Sequence, residues 1–256
     1  MALAPYDHFR FVLVRTSHSG NIGSAARAIR TMGFDRLTLV APSRFPDPEA
    51  TALAAGADDV LGNAVVVDDL VGGLAGTTFA LGLSARRRGV NLPELDPREG
   101  AAQAIAAARR GEQVALVFGN ERTGLENDEL SRCHAMVRIP SVDDFSSLNL
   151  SQAVQVVAYE IRSALLADAA EPVAAVEAEV DPDEVPADAE QVERFFTHLG
   201  ETLDDIEFHK GRSPTTIMLK LRKLFLRARP ELRELRILHG ILADAQRMAG
   251  MAKKRD

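Results

Sequence analysis

The sequence contains a single cysteine, Cys133, among 256 residues. One thiol excludes an internal disulfide and any metal site built from several thiolates, and it fits a reducing compartment. No apolar run approaches the roughly 20 residues that a membrane-spanning helix needs. The opening residues, MALAPYDHFR, lack a basic segment followed by an apolar one. We therefore expect a cytoplasmic protein that has neither a membrane partner nor a bound metal.

Two signatures of nucleotide-binding proteins are also missing. No stretch has the spacing of a Walker loop, or of G-x-G-x-x-G followed about twenty residues later by an acid. Their absence argues against nucleoside triphosphates and dinucleotides, and it favours a ligand without a phosphate chain. No repeat of about 20 to 50 residues is visible, which excludes solenoids and propellers.

The charges are segregated along the chain, although the net charge is only −7. Residues 1–167 carry a net −3, residues 168–205 carry thirteen acids and one base, and residues 206–256 carry thirteen bases and five acids. A protein with a negative total can still bind RNA through a locally basic segment. A solvated helix surface would explain the same asymmetry.

Short apolar, β-branched runs alternate with segments of helical periodicity, which is typical of an α/β domain with a largely parallel sheet. The predicted strands cover residues 11–14, 36–40, 65–67, 78–83, 114–118 and 135–139. The predicted helices cover residues 23–32, 48–55, 69–75, 100–109 and 125–132, and a long helix over residues 149–167 closes the domain.

The last third of the chain has a different pattern. Residues 168–190 are rich in Ala, Glu, Asp and Pro and have no apolar stripe, which predicts an acidic linker. Beyond it, apolar residues recur at spacings of three and four over residues 192–203, 217–229 and 231–248. We therefore predict a domain over residues 1–167, a linker over 168–190 and a basic helical extension over 191–256.

The first polar connection follows the strand over residues 11–14. Asn21 and Gly23 fall in the predicted loop, and Arg27 falls one turn into the following helix. In an α/β sheet, ligands bind at the carboxyl ends of the strands. An ordinary connection, in which Asn21 caps the helix and Arg27 is exposed, fits the same residues.

The second connection follows the strand over residues 114–118 and places Glu121 and Arg122 between Gly119 and Gly124. The glycines let the backbone approach a ligand closely, while the two charged side chains remain available for a substrate. A structural turn with a surface ion pair is the alternative.

The third connection follows the strand over residues 135–139 and ends in Ser147, Leu148 and Asn149 at a helix start. Serine and asparagine are common helix caps, so a capping role for Ser147 or Asn149 explains this pattern as well. Because all three connections lie at strand ends of one predicted sheet, together they predict a ligand pocket.

These segments resemble the motifs of a known family. NIGSAAR (21–27), LVFGNERTGL (116–125) and IPSVDDFSSLNLSQAVQVVAYE (139–160) are similar, in order and spacing, to the three motifs of the TrmH-type SPOUT methyltransferases. LSARRRGVNLPELDPRE (83–99) and the tail segments over 194–209 and 217–242 resemble the bacterial TrmJ branch of that family. Leu83 stands where a threonine is usual, and Asn91-Leu92-Pro93 replaces a Trp-Pro pair.

The resemblance implies an α/β SPOUT fold with a largely parallel sheet and a C-terminal trefoil knot, followed by a small helical module. It also implies a homodimer in which the partner completes each active site. The implied activity is S-adenosylmethionine-dependent 2'-O-methylation of a tRNA ribose, at the cytidine or uridine of position 32 in the anticodon loop. We expect no DNA partner.

Cofactor contacts are implied for the residues that match the family's loops, namely Leu83, Ser84, Ala85, Gly119, Ile139, Ser147, Leu148 and Asn149. The matching catalytic arginine is Arg27. Because a guanidinium with a pKa above about 12 is a poor base, we expect Arg27 to grip a phosphate and stabilise the developing alkoxide.

The resemblance also suggests finer roles. Asn21 and Asn149 are expected to orient the ribose or Arg27, and Ser147 is expected to contact the hydroxyl. Glu121 is expected to hold Arg27 or a group of the partner chain. The side chains expected to contact RNA are Arg86, Arg122, Lys220, Arg222 and Lys223.

Three alternatives stay open at this point. The same methyl transfer could act on ribosomal RNA, because related enzymes modify both RNA classes. A catalytically silent knotted RNA-binding protein is a second possibility, against which the intact Arg27 and Gly119 loop argue. The third is an unrelated α/β nucleotide-binding enzyme.

Overall fold

A parallel sheet of seven strands forms the centre of the N-terminal part of the chain. The structure, a computed structural model, describes residues 5–85, 92–142, 147–170 and 185–253. Across the sheet the strands run in the order β3 (Val65–Val67), β2 (Leu37–Val40), β1 (Phe9–Val14), β6 (Val114–Phe118), β4 (Phe79–Leu83), β7 (Ala135–Val137) and β5 (Glu94–Leu95). Every neighbouring pair is parallel.

Helices follow most of the strands. After a 3-10 turn at Pro5–His8, they are α1 (Ser19–Thr31), α2 (Pro48–Ala54), α3 (Asp58–Gly62), α4 (Leu70–Gly73), α5 (Pro97–Arg109), α6 (Asn127–Leu130), α7 (Leu150–Ala170), α8 (Ala189–Asp205), α9 (Pro214–Ala228) and α10 (Leu232–Lys253).

The two faces of the sheet are covered differently. On one face the side chains of Phe9, Phe11 and Leu13 are fully buried in a core shared with α1, α5 and α7. On the other face the shorter helices lie close to the strands. For example, a Cβ added to Gly73 of α4 would lie 2.7 Å from Cγ2 of Val40 in β2. Burial on both faces explains why the central strands read as continuous apolar runs.

The register brings four strand ends together. Leu13 of β1 pairs with Phe118 of β6, Phe118 pairs with Leu83 of β4, and Leu83 pairs with Val137 of β7. Because these strands are parallel neighbours, the loops that follow them leave the sheet at the same edge. This edge is where the sequence places its polar connections.

The predicted α/β architecture with a largely parallel sheet is confirmed, and six predicted strands are present within two residues of their predicted bounds. The two-residue strand β5 and the helix α3 were not predicted. The strand predicted over 135–139 ends earlier, at Val137. The helix predicted over 125–132 is a single turn, α6.

The start of α1 differs from the prediction in a way that affects the site. The helix begins at Ser19, so Asn21 and Gly23 lie inside it rather than in the loop, and His18 occupies the N-cap position. Gly23 does not form a turn but allows α1 and α2 to pack closely. A Cβ at this position would lie 2.0 Å from the carbonyl oxygen of Ala50 in α2. The capping role considered for Asn21 is therefore wrong.

The chain divides into two compact units, Met1–Ala175 and Val176–Asp256. In the second unit, α8 begins with a capping box between Asp188 and Gln191. Its core consists of apolar residues from all three helices, among them Phe195, Phe196, Leu226 and Leu235. The helix α7 extends to Ala170 and α8 starts at Ala189, so described helix occupies both ends of the segment predicted as a linker, residues 168–190.

Within the described ranges, no helix combines the length and apolar character needed to cross a membrane.

Candidate active site

A pocket opens at the sheet edge where β4, β6 and β7 end. Its described walls come from four segments: residues 83–85, residues 118–124, the Val137–Ile139 strand end, and the start of α7 with the residues before it. The empty space is about 750 Å³ including the mouth.

The structure brings most of the predicted cofactor residues together in this pocket. Seven of the eight line it, namely Leu83, Ser84, Ala85, Gly119, Ile139, Ser147 and Leu148. The eighth, Asn149, precedes α7, and its Oδ1 accepts hydrogen bonds from the backbone N–H of Ser151 at 2.9 Å and from its hydroxyl at 2.7 Å. The capping role considered for Asn149 is therefore confirmed, and Ser147 lies exposed at the rim.

The loop after β6 is tightly folded, and Gly119 is essential to its shape. A Cβ at this position would lie 2.2 Å from the backbone carbon of Gly124 and 2.2 Å from the nitrogen of Leu125. Gly124 itself has a φ of +67°, a region that favours glycine. The loop returns on itself so closely that no other residue fits at Gly119 without displacing the backbone.

Asn120 organises this loop, a role that the sequence reading missed. Its Nδ2 donates to the carbonyl of Arg15 at 2.7 Å, which ties the loop to the end of β1. Its Oδ1 accepts from the backbone N–H groups of Arg122 at 3.0 Å and Thr123 at 3.3 Å. Asparagine side chains commonly accept from backbone N–H groups two residues on, so an asparagine in a loop between two glycines is a recognised signal for such a turn.

Glu121 binds the start of α1. Its carboxylate accepts from the backbone N–H of Ser17 at 2.9 Å, the hydroxyl of Ser17 at 2.7 Å and the backbone N–H of His18 at 3.1 Å. It also accepts from Nδ2 of Asn21 at 2.9 Å. The carboxylate thus supplies the cap that α1 lacks locally, and negative charge is favoured at a helix N-terminus.

The ionisation of Glu121 reflects these contacts. Burial acts to raise its pKa, but the hydrogen bonds from Asn21 and Ser17 outweigh burial and lower the pKa from 4.5 to about 2. The side chain is therefore a fixed anion at neutral pH. A carboxylate that holds its proton so weakly is suited to positioning rather than to proton transfer.

Asn21 and Asn149 join the first and third polar connections. Nδ2 of Asn149 donates to Oδ1 of Asn21 at 2.9 Å, and Asn21 donates in turn to Glu121. One chain of hydrogen bonds therefore runs from the start of α7 through α1 to the loop after β6. The amide of Asn21 is engaged on both of its sides, so the structure assigns it to holding loops together.

Arg27 lies apart from this network. It is exposed on α1, and it is not among the residues that line the pocket. It is six residues beyond Asn21, which corresponds to about 9 Å along the helix and about 120° around it. The expectation that Glu121 of the same chain holds Arg27 is wrong, because the carboxylate is directed to the helix start instead.

The cation at the end of β1 was also missed. Arg15 has a φ of +52°, which is strained for a residue with a side chain. Its guanidinium lies 3.1 Å from Oε1 of Glu126 and also pairs with Glu129. These contacts, together with the bond from Asn120 to its carbonyl, anchor the loop after β6 to β1.

The residues expected to contact RNA fall into three groups. Arg86 lies outside the described residues, whereas Arg122 is exposed and lines the pocket. Lys220 is exposed on α9, and Lys223 on the same helix is half-buried.

Arg222 has a packing role instead. Its NH2 group lies 3.0 Å from Oε2 of Glu193, and the guanidinium lies 4.2 Å from the ring centroid of Phe196. The charge of Arg222 is thus compensated inside the helical unit, and its RNA contact stays a prediction.

The pocket combines apolar side chains with backbone polar groups and few ionisable ones. Such walls suit a flat heterocycle whose edge bonds to the main chain. Among the described residues, no group of three His, Cys, Asp or Glu side chains is placed to hold a metal ion.

The chain resembles known proteins over almost its whole length. The profile described as "SpoU rRNA Methylase family" matches residues 8–159, and the profile "tRNA methyltransferase TrmJ, C-terminal domain" matches residues 190–254. The chain is 50% identical to the tRNA (cytidine/uridine-2'-O-)-methyltransferase TrmJ of Klebsiella pneumoniae over 240 residues, which covers 94% of this chain and 97% of the relative. The TrmJ protein of Salmonella typhi is likewise 50% identical, over 241 residues, with the same coverage of both chains.

A solved structure shows the same architecture. The crystal structure of TrmJ from Z. mobilis ZM4 has a TM-score of 0.78 and 33% identity, and the match covers 92% of this chain and 97% of that one. This confirms the SPOUT fold expected from the motifs, while the trefoil knot remains a prediction. Since one profile matches more than half of the chain and these relatives align with nearly all of it, the chain belongs to the SpoU family of RNA 2'-O-ribose methyltransferases, in its TrmJ branch.

Proposed function

We propose that this protein transfers a methyl group from S-adenosylmethionine to the 2'-hydroxyl of a tRNA ribose. The observation that carries the proposal is the pocket, in which residues of the second and third family motifs and residues 83–85 meet at one sheet edge. Two further findings support it: the printed activity of relatives that are 50% identical, and the match of residues 190–254 to a TrmJ C-terminal profile.

The pocket has the features that such a cofactor needs. The apolar side chains of Leu83, Ile139 and Leu148 can enclose an adenine ring, and the backbone at Gly119 is open because the residue has no Cβ. When bound, S-adenosylmethionine supplies an electrophilic methyl group. The hydrogen-bonded loops keep these walls in place before the substrate arrives, so much of the rate enhancement comes from positioning.

Arg27 acts on the ribose in this proposal. Its guanidinium stays protonated and binds a phosphate beside the reacting nucleotide. The same positive charge stabilises the alkoxide that develops as the 2'-hydroxyl loses its proton. That proton leaves to the phosphate or to water. Glu121 and Asn21 are positioning residues, since their contacts fix the start of the helix that carries Arg27.

A homodimer completes the site. Within one chain, Arg27 is exposed and is not part of the pocket wall, which leaves the pocket without a cation on α1. A partner chain that presents its Arg27 at the pocket supplies that charge.

We further propose a trefoil knot that holds the cofactor loops rigid, and a cytoplasmic location. We also propose a division into a catalytic domain over 1–167, a linker and a basic extension over 191–256.

The proposed target is the cytidine or uridine at position 32 of the anticodon loop. The relatives that are 50% identical are named as cytidine and uridine methyltransferases, in agreement with this proposal. A structure titled for 2'-methylation of C/U34 on tRNA matches with 25% identity and a TM-score of 0.50. That match covers 97% of the other chain but only 62% of this one, so this chain has an additional segment that the other lacks.

Ribosomal RNA is the second candidate substrate, because the family profile carries that word in its description. The test is methyl transfer from labelled S-adenosylmethionine to tRNA transcripts and to ribosomal RNA fragments, with mapping of the 2'-O-methyl group. A tRNA with 2'-deoxyribose at position 32 is the matched control. We expect labelling of the tRNA at position 32 and none of the control.

Two results would contradict the proposal. Labelling confined to ribosomal RNA would reassign the substrate. Tight tRNA binding without any transfer would identify a catalytically silent RNA-binding protein.

A further inference from the structure

The turn between α8 and α9, residues 206–213, is an unusual surface of the helical unit. Glu207, Lys210 and Gly211 have φ values of +53°, +43° and +82°, so half of the six residues from 207 to 212 adopt the left-handed region. Such a conformation is costly for residues with side chains, and it persists only where the surroundings fix it.

The turn presents an aromatic ring covered by a guanidinium. Phe208 is 38% exposed, and the guanidinium of Arg212 lies 4.8 Å from the centre of its ring. The same guanidinium is held by backbone carbonyls, with Nε 3.1 Å from the oxygen of His209 and NH2 2.7 Å from that of Phe208. The ring and the cation are therefore fixed against each other at the surface.

The charge of Arg212 is not compensated. Other arginines of this unit have carboxylate partners: Arg194 lies 3.1 Å from Glu190, and Arg247 lies 3.0 Å from Asp244. Arg212 and Lys210 have no ion pair within the described part of the chain. The turn also opens a stretch, residues 208–230, that contains seven bases and no acid.

A guanidinium without a carboxylate partner, held against an exposed aromatic ring and close to Lys210, matches the chemistry of unpaired RNA. Single-stranded bases stack on aromatic side chains and on arginine planes, and their phosphates bind lysine and arginine. An acidic protein surface would use the cations but not the ring. The aromatic component therefore favours RNA over an acidic polypeptide.

We propose that the α8–α9 turn is a contact site for a single-stranded stretch of RNA, in which a base stacks on the Phe208–Arg212 pair and phosphates bind Lys210 and the exposed cations of α9. This deepens the proposed function, on which it rests, by naming where the helical unit holds its substrate. It also accounts for a stretch of seven bases without an acid, residues 208–230, in a protein with a net charge of −7.

The test measures binding of the full-length protein to a tRNA transcript at several salt concentrations. The variants are Phe208→Ala, Arg212→Ala and Lys210→Asn, the last chosen because asparagine tolerates the left-handed region. Arg247→Ala is the matched control, because it removes one charge of the same unit from a residue that already has a carboxylate partner. Melting temperature and S-adenosylmethionine affinity are recorded for each variant.

Each substitution has its own expected result. Phe208→Ala raises the Kd for tRNA about tenfold without changing its salt dependence, because stacking releases no counterions. Arg212→Ala raises the Kd at least as much. It also reduces the magnitude of the slope of log binding constant against log salt concentration by about 0.7 to 0.9. Lys210→Asn reduces the magnitude of this slope by a similar amount. Arg247→Ala changes the Kd less than twofold.

The proposal is overturned if Arg212→Ala and Arg247→Ala weaken binding equally, since the effect would then be net charge alone. It is also overturned if tRNA affinity falls only in proportion to a lower melting temperature, which would assign the pair to packing. Unchanged tRNA binding with lost binding to polyglutamate would identify a protein partner instead. A wild-type protein that binds tRNA but transfers no methyl group would contradict the proposed function and leave this site intact.

Discussion

The two units of the chain differ in how their exposed polar side chains are paired. In the N-terminal unit, the polar groups near the pocket bond to one another across about a hundred residues of sequence, as Glu121 does with Ser17 and Asn21. In the C-terminal unit, Arg222 and Glu193 join two helices, but the pairs Arg194–Glu190 and Arg247–Asp244 lie within a single helical turn. Lys210 and Arg212 have no ion pair among the described residues of that unit.

This difference corresponds to two physical tasks. Chemistry at a carbon atom requires reacting groups that are fixed to within fractions of an ångström, which long-range hydrogen bonds between loops provide. Attraction of a polyanion requires unpaired positive charge and tolerates an imprecise geometry. The N-terminal unit should therefore control turnover and cofactor affinity, and the C-terminal unit should control RNA affinity.

The sharpest challenge to this division is Arg27→Ala. We expect methyl transfer to fall by about 10²- to 10³-fold or more, because the cation that stabilises the developing alkoxide is lost. Cofactor affinity should remain within about twofold, since Arg27 does not line the pocket. Single-turnover transfer and calorimetry measure the two quantities.

Arg30→Ala is the control for that experiment. Arg30 is on the same helix and pairs with Asp59 at 3.0 Å, so its loss changes the charge of α1 without touching the proposed chemistry. Retained turnover in Arg27→Ala would remove this residue from the mechanism and with it the argument for a completing partner chain.

Gly119→Ala tests whether the pocket depends on the folded loop. A Cβ at Gly119 would lie 2.2 Å from backbone atoms, so we expect the loop to move, with a stability loss of about 1–3 kcal/mol and more than a tenfold loss of cofactor affinity. The control is Gly62→Ala, where nothing lies within 4 Å of the added atom. Undiminished cofactor binding in Gly119→Ala would show that the loop after β6 is not a wall of the site.

Stability measured as a function of pH tests the hydrogen bonds by which Glu121 joins the loop after β6 to the start of α1. Folding lowers the pKa of Glu121 from 4.5 to about 2. The Glu121 carboxylate therefore stabilises the folded protein fully above pH 4.5, and this stabilisation is lost as the pH falls from 4.5 toward 2. Glu121→Gln should cost about 1–3 kcal/mol near neutral pH by weakening charge-assisted hydrogen bonds. The cost should shrink in the acid range.

Comparing unfolding curves of the wild type and Glu121→Gln from pH 7 to pH 2.5 isolates this group from the other carboxylates. A difference between the two proteins that stays constant over the whole range would mean that Glu121 carries no linked charge.

The smallest expected effect lies in the C-terminal unit and concerns a stacked histidine pair. Nδ1 of His198 lies 2.7 Å from Nδ1 of His239, and burial, His198 and Arg194 lower the pKa of His239. Because the pKa of His239 is lower in the folded protein than in the unfolded chain, the unfolded chain binds the proton more readily. The stability of the unit is therefore intact above about pH 6.5 and declines as the pH falls below that value. His239→Gln should reduce this decline while leaving the N-terminal unit unchanged, as hydrogen exchange of each unit can measure. An identical pH profile in the variant would contradict the assignment.

Much of this architecture follows from local sequence. The strands β1, β2, β4, β6 and β7 are mainly apolar runs that are buried within the sheet, and β3 is a run of three valines, so local sequence predicts all six. The strand β5 has only two residues, Glu94 and Leu95, and exists because it pairs with β7, which no local pattern encodes.

The same limit applies to the site. Convergence of the polar connections could be predicted, because the carboxyl ends of neighbouring parallel strands share one edge. The start of α1 could not, because its cap is a carboxylate about a hundred residues away in sequence. The packing role of Arg222 was hidden for a similar reason, since its partners Glu193 and Phe196 lie on another helix.

Cofactor binding by the pocket is the central claim, and calorimetric titration of the full-length protein tests it most directly. We predict saturable binding of S-adenosylmethionine with one molecule per chain, and no comparable binding of NAD or ATP. A correctly folded protein that gives no heat with S-adenosylmethionine, or that binds NAD or ATP as tightly, would contradict the account.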